Sequence, residues 1–486
     1  MHLFFSIIKF FFENILFFYA VIIMLSYVIL AFLSASALVR YKKKNSFVDY
    51  NSMLKSPLCP SISVLAPAYN EGETIVENIH SLLSLNYTNY EVIVINDGSN
   101  DDTLDKAKKA FDLEKVNFLI DKKIETKKIR GIYKSRRDIY SKLILVDKEN
   151  GGKADALNCG INISQKDYFI TIDVDCVMEQ DALMKMAKPF IEQTKKKVIA
   201  SGGVIRVANS CVIKNGNLVE VNLPKKLLPK LQVLEYFRAF ILGRMAWSRL
   251  NGLLLISGAF GMFDKKIAIK VGGYNIFTVG EDMELVVRMR RYMHENNMGK
   301  YMVAFIPDPL CWTEVPETQK VLSRQRNRWT RGTIETLLFH KKMFFNRRYG
   351  KLGMVSYPYW LFFEWMAPFV EFFGIIYFLT LLLLGQVNMF FFLFILIFIY
   401  SFAISFSLSS IFFEEVYFHQ YKKKGDALKL IFIALLEPFI HHPFVMFYAL
   451  KGNYDFFILK KHGWGDMKRV GFTIAESKIK KKKAEE

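Results

Sequence analysis

Cysteine is scarce in this sequence, and the few cysteines that occur follow no regular spacing. The 486-residue chain contains five, an odd number, at Cys59, Cys159, Cys176, Cys211 and Cys311. Cysteines scattered in this way do not make a disulfide framework and favour reduced structural residues in a cytoplasmic domain. No internal repeat is visible either, which excludes a repeat array.

Charged residues are absent from two long stretches, residues 14–39 and residues 372–413. A helix of roughly 20 apolar residues spans a bilayer, so each stretch is long enough to cross one. Residues 385–388 interrupt the second stretch with Gly-Gln-Val-Asn, which predicts the turn of a transmembrane hairpin. The sequence therefore excludes a wholly soluble protein and predicts a multi-pass membrane protein.

Positive charge sets the expected orientation. The first stretch is followed by Arg40-Tyr-Lys-Lys-Lys44, and the positive-inside rule places that end in the cytoplasm. The stretch lacks the basic start of a secretory signal peptide, so a retained anchor is expected. We expect an inner (plasma) membrane protein with a cytoplasmic C-terminus. Its parts are an N-terminal transmembrane segment (1–45), a cytoplasmic catalytic domain (46–345), interfacial and transmembrane helices (346–460) and a basic tail (461–486).

The net charge of +20 permits a nucleic-acid partner as one interpretation. Much of the excess, however, flanks the membrane segments at residues 42–44, 422–424 and 478–483, where topology and anionic lipid explain it. No pattern of stacking aromatic residues accompanies the charge, so we predict the lipid bilayer as a partner and no nucleic acid.

The middle of the chain alternates strand and helix patterns. Apolar runs predict strands at residues 62–65, 91–95, 143–146 and 167–175, and helical spacing predicts helices at 74–85, 101–110 and 154–163. This alternation indicates a parallel α/β sheet. The Lys- and Arg-rich residues 113–142 are interpreted as an insertion.

Acidic residues at the ends of these strands should meet in one cleft, since ligands bind beyond the carboxyl ends of strands in open α/β sheets. Asp173 and Asp175 stand two apart on a strand and point the same way. Their carboxylates repel each other unless a cation lies between them, and such oxygen ligands suit Mg²⁺ or Mn²⁺. An ordinary turn after the strand is the alternative.

Three further motifs carry charge near predicted element ends. Lys153 follows Gly151-Gly152 and starts a helix whose N-terminus favours anions, without the spacing of a Walker loop. Asp97 lies in Asn-Asp-Gly, which is also a common turn sequence. Glu281 and Asp282 begin an amphipathic helix, where acidic residues often serve as caps.

An arginine-rich segment just before the membrane completes the set. Four arginines surround Trp329 within residues 324–331; the planar guanidinium suits phosphate, and an indole suits the apolar face of a sugar. The ordered motifs resemble the D, DxD, ED and QRxRW pattern of membrane-embedded processive family-2 glycosyltransferases, which include the cellulose, chitin, hyaluronan and poly-N-acetylglucosamine synthases. The resemblance covers about residues 60–335. Gly280 stands where that family often has Thr, a departure that we expect to be harmless.

The resemblance implies a GT-A (Rossmann-like) α/β domain inserted between helical transmembrane segments. It implies metal-dependent, inverting transfer of a sugar from a UDP-sugar, UDP-GlcNAc or UDP-glucose, to a growing β-linked polysaccharide that leaves through the chain's own helices. The residues that it implies are Tyr69, Glu71, Asp97, Lys153, Asp173, Gln325, Arg326 and Arg328 for the donor, Asp173 and Asp175 for the metal, Asp282 beside Glu281 for catalysis, and Trp329 for the acceptor.

Several alternatives stay open. Ceramide-type glucosyltransferases, which make glycolipids by a single transfer, carry similar motifs. A channel or scaffold with a degenerate catalytic domain is a third interpretation, and the intact set of acidic residues argues against it.

Gly258 permits close approach to the acceptor, or belongs to a packed strand turn. Glu364 and Glu371 share one helical face and are expected to border the polymer path, although Glu364 at headgroup level, simply solvated, is the alternative. His441 and His442 are expected to be interfacial residues rather than a metal site. A homo-oligomer or a small membrane accessory subunit is left open.

Overall fold

The computed structural model of the protein describes residues 2–56, 59–174, 176–214 and 216–461. Asp175 and residues 462–486 of the predicted tail therefore lie outside the described residues. The strands are β1 (Ile62–Ala68), β2 (Tyr90–Asn96), β3 (Leu113–Lys115), β4 (Ile129–Ser135), β5 (Leu143–Lys148), β6 (Tyr168–Ile172), β7 (Val177–Met178), β8 (Lys197–Val207), β9 (Val212–Lys214), β10 (Asn217–Glu220), β11 (Phe260–Asp264) and β12 (Tyr301–Thr313).

Helices surround and follow these strands. They are α1 (His2–Asn45), α2 (Tyr50–Lys55), α3 (Ile75–Leu83), α4 (Thr103–Phe111), α5 (Lys153–Ile163), α6 (Ala182–Ile191), α7 (Leu227–Tyr236), α8 (Met245–Arg249), α9 (Lys265–Lys270), α10 (Glu281–Glu295), α11 (Gln319–Phe339), α12 (Tyr357–Tyr359), α13 (Ala367–Leu383), α14 (Met389–Tyr417), α15 (Asp426–Ile440) and α16 (His442–Phe457). π-helical segments at Phe237–Arg244, Leu352–Ser356 and Trp360–Trp365 continue α7 and flank α12.

Ten of the described strands form one sheet in the order β3-β4-β5-β2-β1-β6-β11-β8-β12-β7. Its centre, β5-β2-β1-β6, is parallel, and every residue of β2 is buried, as expected for a strand covered on both faces. The sheet as a whole is mixed, because β11 runs antiparallel to β6 and β8. The four strands predicted from the sequence, β1, β2, β5 and β6, therefore form the parallel centre of a GT-A-like mixed α/β core.

The Lys- and Arg-rich residues 113–142 belong to this sheet. They contain β3 and β4, which pair antiparallel with each other and, through β4, with β5. The interpretation of the segment as an insertion is therefore wrong: it forms one edge of the sheet. Alternating charged residues on a solvent-facing edge hid the strand pattern in the sequence.

Strand ends bring the motif residues to one edge of the sheet. Since β1 pairs with β2 and with β6 in parallel, residues that follow Ala68, Asn96 and Ile172 emerge on the same side. The chain after β5 reaches that side too and starts α5 at Lys153.

The apolar segments form long helices against this domain. Among the described residues, two helices are long and apolar enough to cross a membrane, Glu13–Asn45 and Phe392–Tyr417, and up to four if two bent pairs each count as one span. The bent pairs are Leu352–Trp365 with Ala367–Leu383, at 42°, and Asp426–Ile440 with His442–Phe457, at 46°. α13 ends and α14 starts on either side of residues 385–388, where the sequence predicts a hairpin turn.

Candidate active site

A cavity of about 2520 Å³ extends from the carboxyl edge of the sheet to the membrane helices. Lys153 and Asp173 line it at the sheet, while Tyr19 of α1, Phe378 of α13 and Phe402 of α14 line it among the apolar helices. One continuous space therefore joins polar residues of the α/β domain to the candidate membrane spans.

Lys153, Asp173 and Glu281 form a charged cluster at the sheet end of this cavity. The ammonium of Lys153 is paired with Asp173, lies 3.9 Å from Glu281 Oε1 and donates to the carbonyl of Gly258 at 3.3 Å. Burial alone would lower the pKa of Lys153, but Asp173 and Glu281 raise it. Burial raises the pKa of Glu281 to about 7, against the opposing effect of Lys153. The cluster holds a fixed positive charge beside carboxylates.

Asp282 is held in a defined orientation at the start of α10. The Gly258 N–H donates to Asp282 Oδ2 at 2.8 Å, and the Met283 N–H donates to Asp282 Oδ1 at 2.8 Å. A side chain on Gly258 would place its Cβ 3.1 Å from the Cβ of Asp282, a contact tight enough to push the Asp282 side chain from this position. The amide of Gly258 thus positions the carboxylate of Asp282, while the expected contact of Gly258 with the acceptor stays a prediction.

α10 and α11 approach each other closely where these motifs begin. A Cβ on Gly280 would lie 2.7 Å from the Cα of Gly332, which is closer than side chains tolerate. Gly280, the position that departs from the family pattern, therefore permits a contact between the Glu281-Asp282 turn and α11. This contact brings the two motifs to the same wall of the cavity.

The QRxRW segment lies on α11 and lines the cavity with Gln325, Arg326, Arg328 and Trp329. The guanidinium of Arg326 is bound to Glu235 Oε2 at 2.7 Å and lies 4.2 Å from the centroid of the Trp329 ring. Burial would raise the pKa of Glu235, but Arg326 and His441 lower it to about 2. Trp329 is 41% exposed, so its indole offers a surface to the cavity.

This arrangement differs from the expectation for Arg326. Its side chain is 5% exposed and engaged by Glu235, so it supports Trp329 instead of extending towards a donor. The sequence did not mark Glu235 as functional, because it is a single acidic residue within the mostly buried helix α7 and belongs to no motif. The signal that could have found it is the need of a buried arginine for a carboxylate partner.

The expected uridine-binding residues, Tyr69, Glu71 and Asp97, lie at the same edge of the sheet. None of these three described residues lines the cavity. Asp97 is buried and accepts from Lys148 Nζ at 2.6 Å and from the Gly152 N–H at 2.7 Å. Glu71 accepts from the Thr74 hydroxyl at 3.2 Å, and Tyr69 is 47% exposed. Asp97 thus organises the loop before Lys153 in this structure.

Of the two expected metal ligands, Asp173 is described by the structure, and Asp175 lies outside the described residues. Within the part of the chain that is described, no group of three or more His, Cys, Asp or Glu side chains converges as a metal cage. The carboxylate of Asp173 lines the cavity and is of the donor type that Mg²⁺ and Mn²⁺ prefer. Such ions commonly complete their coordination with water and substrate phosphate, so the donor present fits an ion bound together with a substrate.

His441 and His442 each contact a glutamate. His441 Nε2 lies 3.4 Å from Glu235 Oε2, and His442 Nε2 lies 2.9 Å from Glu371 Oε2. The two rings therefore contact different glutamates and do not share a ligand-binding point.

Comparisons with known proteins identify two family models along the chain. Residues 63–215 match the model described as "Glycosyl transferase family 2", and residues 168–406 match "Glycosyl transferase family group 2". Together they span most of the α/β domain and end within α14.

Among similar curated proteins is the poly-beta-1,6-N-acetyl-D-glucosamine synthase of Staphylococcus aureus strain COL, which is 29% identical over 278 residues, or 57% of this chain and 55% of the relative. The Staphylococcus epidermidis protein of the same name is 31% identical over 280 residues, with coverage of 57% and 55%. The matched region thus spans little more than half the length of these curated relatives.

A similar solved structure is mannosyltransferase PcManGT from Pyrobaculum calidifontis, determined in complex with GDP-Man and Mn2+. It has a TM-score of 0.48 and 15% sequence identity, and the match covers 90% of this chain and 99% of that chain.

Proposed function

Because the chain belongs to glycosyltransferase family 2, we propose that it is a membrane polysaccharide synthase. It transfers a sugar from UDP-GlcNAc or UDP-glucose to the end of a growing β-linked polymer and passes that polymer through its own helices. The observation that carries this proposal is the single cavity that contains Asp282 and Trp329 and also reaches α1, α13 and α14. Similarity to poly-beta-1,6-N-acetyl-D-glucosamine synthases supports N-acetylglucosamine as the sugar.

Asp282 acts as the general base in this proposal. Its carboxylate takes the proton of the acceptor hydroxyl, and the resulting oxygen attacks the anomeric carbon from the side opposite the diphosphate, which inverts the configuration. The bond between that carbon and the diphosphate oxygen breaks, and the electron pair leaves with UDP. The Gly258 N–H, at 2.8 Å from Oδ2, orients the carboxylate, which is the geometric requirement for such a base. Glu281 lies beside it as a second acidic group of the site.

Lys153 and Arg328 stabilise the departing diphosphate. Both line the cavity near Asp173, and fixed cations placed where negative charge develops lower the barrier of the transfer. Gln325 contacts the same group, whereas Tyr69, Glu71 and Asp97 shape the nucleotide end at the sheet edge. A bound Mg²⁺ or Mn²⁺, held by Asp173 and Asp175, would neutralise diphosphate charge. Trp329 seats the acceptor sugar on its exposed ring.

The domain boundaries of the sequence analysis become part of the proposal. Residues 46–345 form the catalytic domain on the cytoplasmic side of the inner membrane, and residues 1–45 and 346–460 hold it there. A homo-oligomer or a small membrane accessory subunit remains compatible with this arrangement. A single-transfer glycolipid synthase is the second candidate, because the apolar part of the cavity also suits a lipid acceptor.

An assay of the purified full-length chain in detergent tests these proposals. UDP release is measured with a panel of UDP-sugars and with GDP-mannose, and the products are digested with linkage-specific hydrolases. We expect release with one UDP-sugar, a ladder of saccharides as the product, loss of activity in EDTA and recovery with Mg²⁺ or Mn²⁺. A single glycolipid product would favour the second candidate, and full activity in EDTA would exclude the metal.

A further inference from the structure

Two nitrogen atoms outside the QRxRW segment of α11 stand out among the buried side-chain atoms of the cavity that have no hydrogen-bond partner in the described residues. They are Nη1 of Arg244 and Nε1 of Trp360, and both side chains line the cavity. Buried polar groups in folded proteins are nearly always satisfied, and exceptions often mark the place of a ligand. A ligand in the cavity with several oxygen acceptors would satisfy both donors.

Arg244 stands out against the other arginine of its helical segment. Arg238 is bound to both oxygens of Glu437, at 2.9 and 3.0 Å, whereas Arg244 forms no ion pair within the described residues and rests its guanidinium 4.0 Å from the centroid of the Phe240 ring. Burial lowers the pKa of Arg244 to about 10, with Asp282 and Glu364 acting in the opposite direction, so the side chain is still charged at neutral pH. The carboxylates of Asp282 and Glu364 are thus both near enough to favour the charged form of Arg244.

The neighbouring carboxylate indicates the chemistry of the missing partner. Glu364 also lines the cavity and follows Trp360 by four residues, so the two side chains share one helical face. An anionic ligand would be repelled by Glu364, and a purely apolar one would leave Arg244 and Trp360 unsatisfied. A neutral polyhydroxyl compound suits all three groups, because each hydroxyl can both donate and accept a hydrogen bond.

We propose that Arg244, Trp360 and Glu364 form a subsite for the acceptor saccharide, on the membrane side of Trp329. Arg244 and Trp360 donate to oxygens of a sugar that lies further from the growing end, and Glu364 accepts from its hydroxyls. The subsite rests on the proposed function. It makes a longer acceptor bind better than a single sugar, and it leaves the donor site unchanged.

Acceptor length is the variable that tests the subsite. Purified wild type and variants receive UDP-GlcNAc together with β-linked N-acetylglucosamine oligosaccharides of increasing length, and kcat/KM is measured for each acceptor. Arg244→Met removes the donors with a similar shape, Arg244→Lys keeps the charge, and Trp360→Phe keeps a ring without the N–H. Arg249→Met is the matched control, because Arg249 is an exposed arginine of α8 that does not line the cavity.

In Arg244→Met we expect kcat/KM for the longer acceptors to fall by about ten-fold to one-hundred-fold, the scale of a lost hydrogen bond to a charged group, while the value for the shortest acceptor and the affinity for UDP stay unchanged. Arg244→Lys recovers part of the loss, Trp360→Phe gives a smaller loss of the same kind, and Arg249→Met gives none. A uniform loss over all lengths, or weaker UDP binding, would overturn the subsite. If the wild type itself extends none of these acceptors but works on another sugar, the same series is run with oligomers of that sugar; if it extends no saccharide, the proposed function fails and the subsite fails with it.

Discussion

The carboxylate of Asp282 receives a backbone N–H at each oxygen, one from Gly258 and one from Met283. These contacts fix the side chain before any substrate arrives. A base that is already oriented needs little reorganisation when the proton moves, which is how positioned groups gain their catalytic advantage.

Asp282→Asn tests the base directly, since it keeps the shape of the side chain and removes its ability to take a proton. We expect sugar transfer to fall by a factor of about 10² or more, while UDP binding is largely kept. UDP release and UDP affinity are measured on the same preparation, with Asp105→Asn, an exposed residue of α4, as control. Turnover close to that of the wild type would remove Asp282 from the proposed role.

Glu281 predicts a pH dependence of stability. Burial raises its pKa in the folded protein to about 7, above the value of about 4.3 for an unperturbed glutamate. The unfolded chain therefore loses the Glu281 proton at a lower pH than the folded protein does. As a result, the free energy of unfolding falls as the pH rises from about 5 towards 8. Glu281→Gln cannot ionise, and its melting temperature should therefore rise relative to that of the wild type over this range.

Thermal unfolding in detergent at several pH values measures that difference. Glu125→Gln serves as control, because the side chain of Glu125 is 90% exposed and should give a constant offset. A constant offset for Glu281→Gln as well would mean that Glu281 ionises normally in the folded protein.

At the scale of elements, α11 depends on its neighbours. Arg326 reaches Glu235 of α7, and Glu235 is also within 3.4 Å of His441 at the bend between α15 and α16. The indole of Trp329, stacked on Arg326, thus has its position set by a chain of contacts that ends at the second bent pair. Glu235 is a positioning residue in this arrangement, acting on the acceptor through Arg326.

Glu235→Gln should weaken the use of the acceptor and spare the donor. The substitution removes the charge that holds Arg326, so we expect KM for a saccharide acceptor to rise by about ten-fold, the cost of a weakened charged hydrogen bond, with the affinity for UDP unchanged. Trp329→Ala should resemble it and be more severe, whereas Arg328→Ala should weaken UDP binding because a phosphate contact is lost.

Glu114→Gln provides the control for this series, since Glu114 and Arg136 form an exposed ion pair at the sheet edge. Exposed pairs contribute little, so this variant should behave as the wild type. Equal loss of UDP affinity in Glu235→Gln and Arg328→Ala would contradict the separation of acceptor support from phosphate binding.

The sequence predicted these elements unevenly, for physical reasons. Buried central strands such as β2 are continuous apolar runs, and Asp173 follows such a run, so both were recognisable from local pattern. The antiparallel strand β4, which lies next to the edge strand β3, carries polar and charged residues and resembled a loop. The partners of Arg326 and Arg244 depend on helices far away in the sequence. Whether a guanidinium contacts a carboxylate or an open cavity depends on the tertiary fold, so the local sequence does not show it.

At the scale of the whole molecule, buried ion pairs fasten the membrane helices to the α/β domain. Arg206 of β8 is paired with Glu414 near the end of α14, with both side chains 1% exposed, and Arg238 is paired with Glu437 of α15. Breaking a buried pair leaves an uncompensated charge and is strongly destabilising. These two ion pairs therefore hold together the elements of the α/β domain and of the membrane helices that surround the cavity.

Glu371 lies where this cavity passes between the two bent pairs. It is on α13, lines the cavity and contacts His442 at the start of α16 at 2.9 Å, with 36% of its side chain exposed. A carboxylate that faced lipid would be costly, and such residues usually face a wet cavity. If the growing polymer follows this route, Glu371 offers acceptors to its hydroxyls at a point well beyond the site of transfer.

Glu371→Leu should then shorten or stall the polymer while early UDP release stays measurable, because the transfer step is untouched and only onward passage is impeded. Product length is read from gels of radiolabelled polymer, and UDP release is followed over the first turnovers. In Glu371→Cys the new thiol should react with a small aqueous reagent, and nascent polymer should protect it. The control is Glu114→Cys at the exposed edge of the sheet. Its thiol should react equally with and without polymer. A thiol at position 371 that does not react, together with polymer of normal length from Glu371→Leu, would show that the chain leaves by another route.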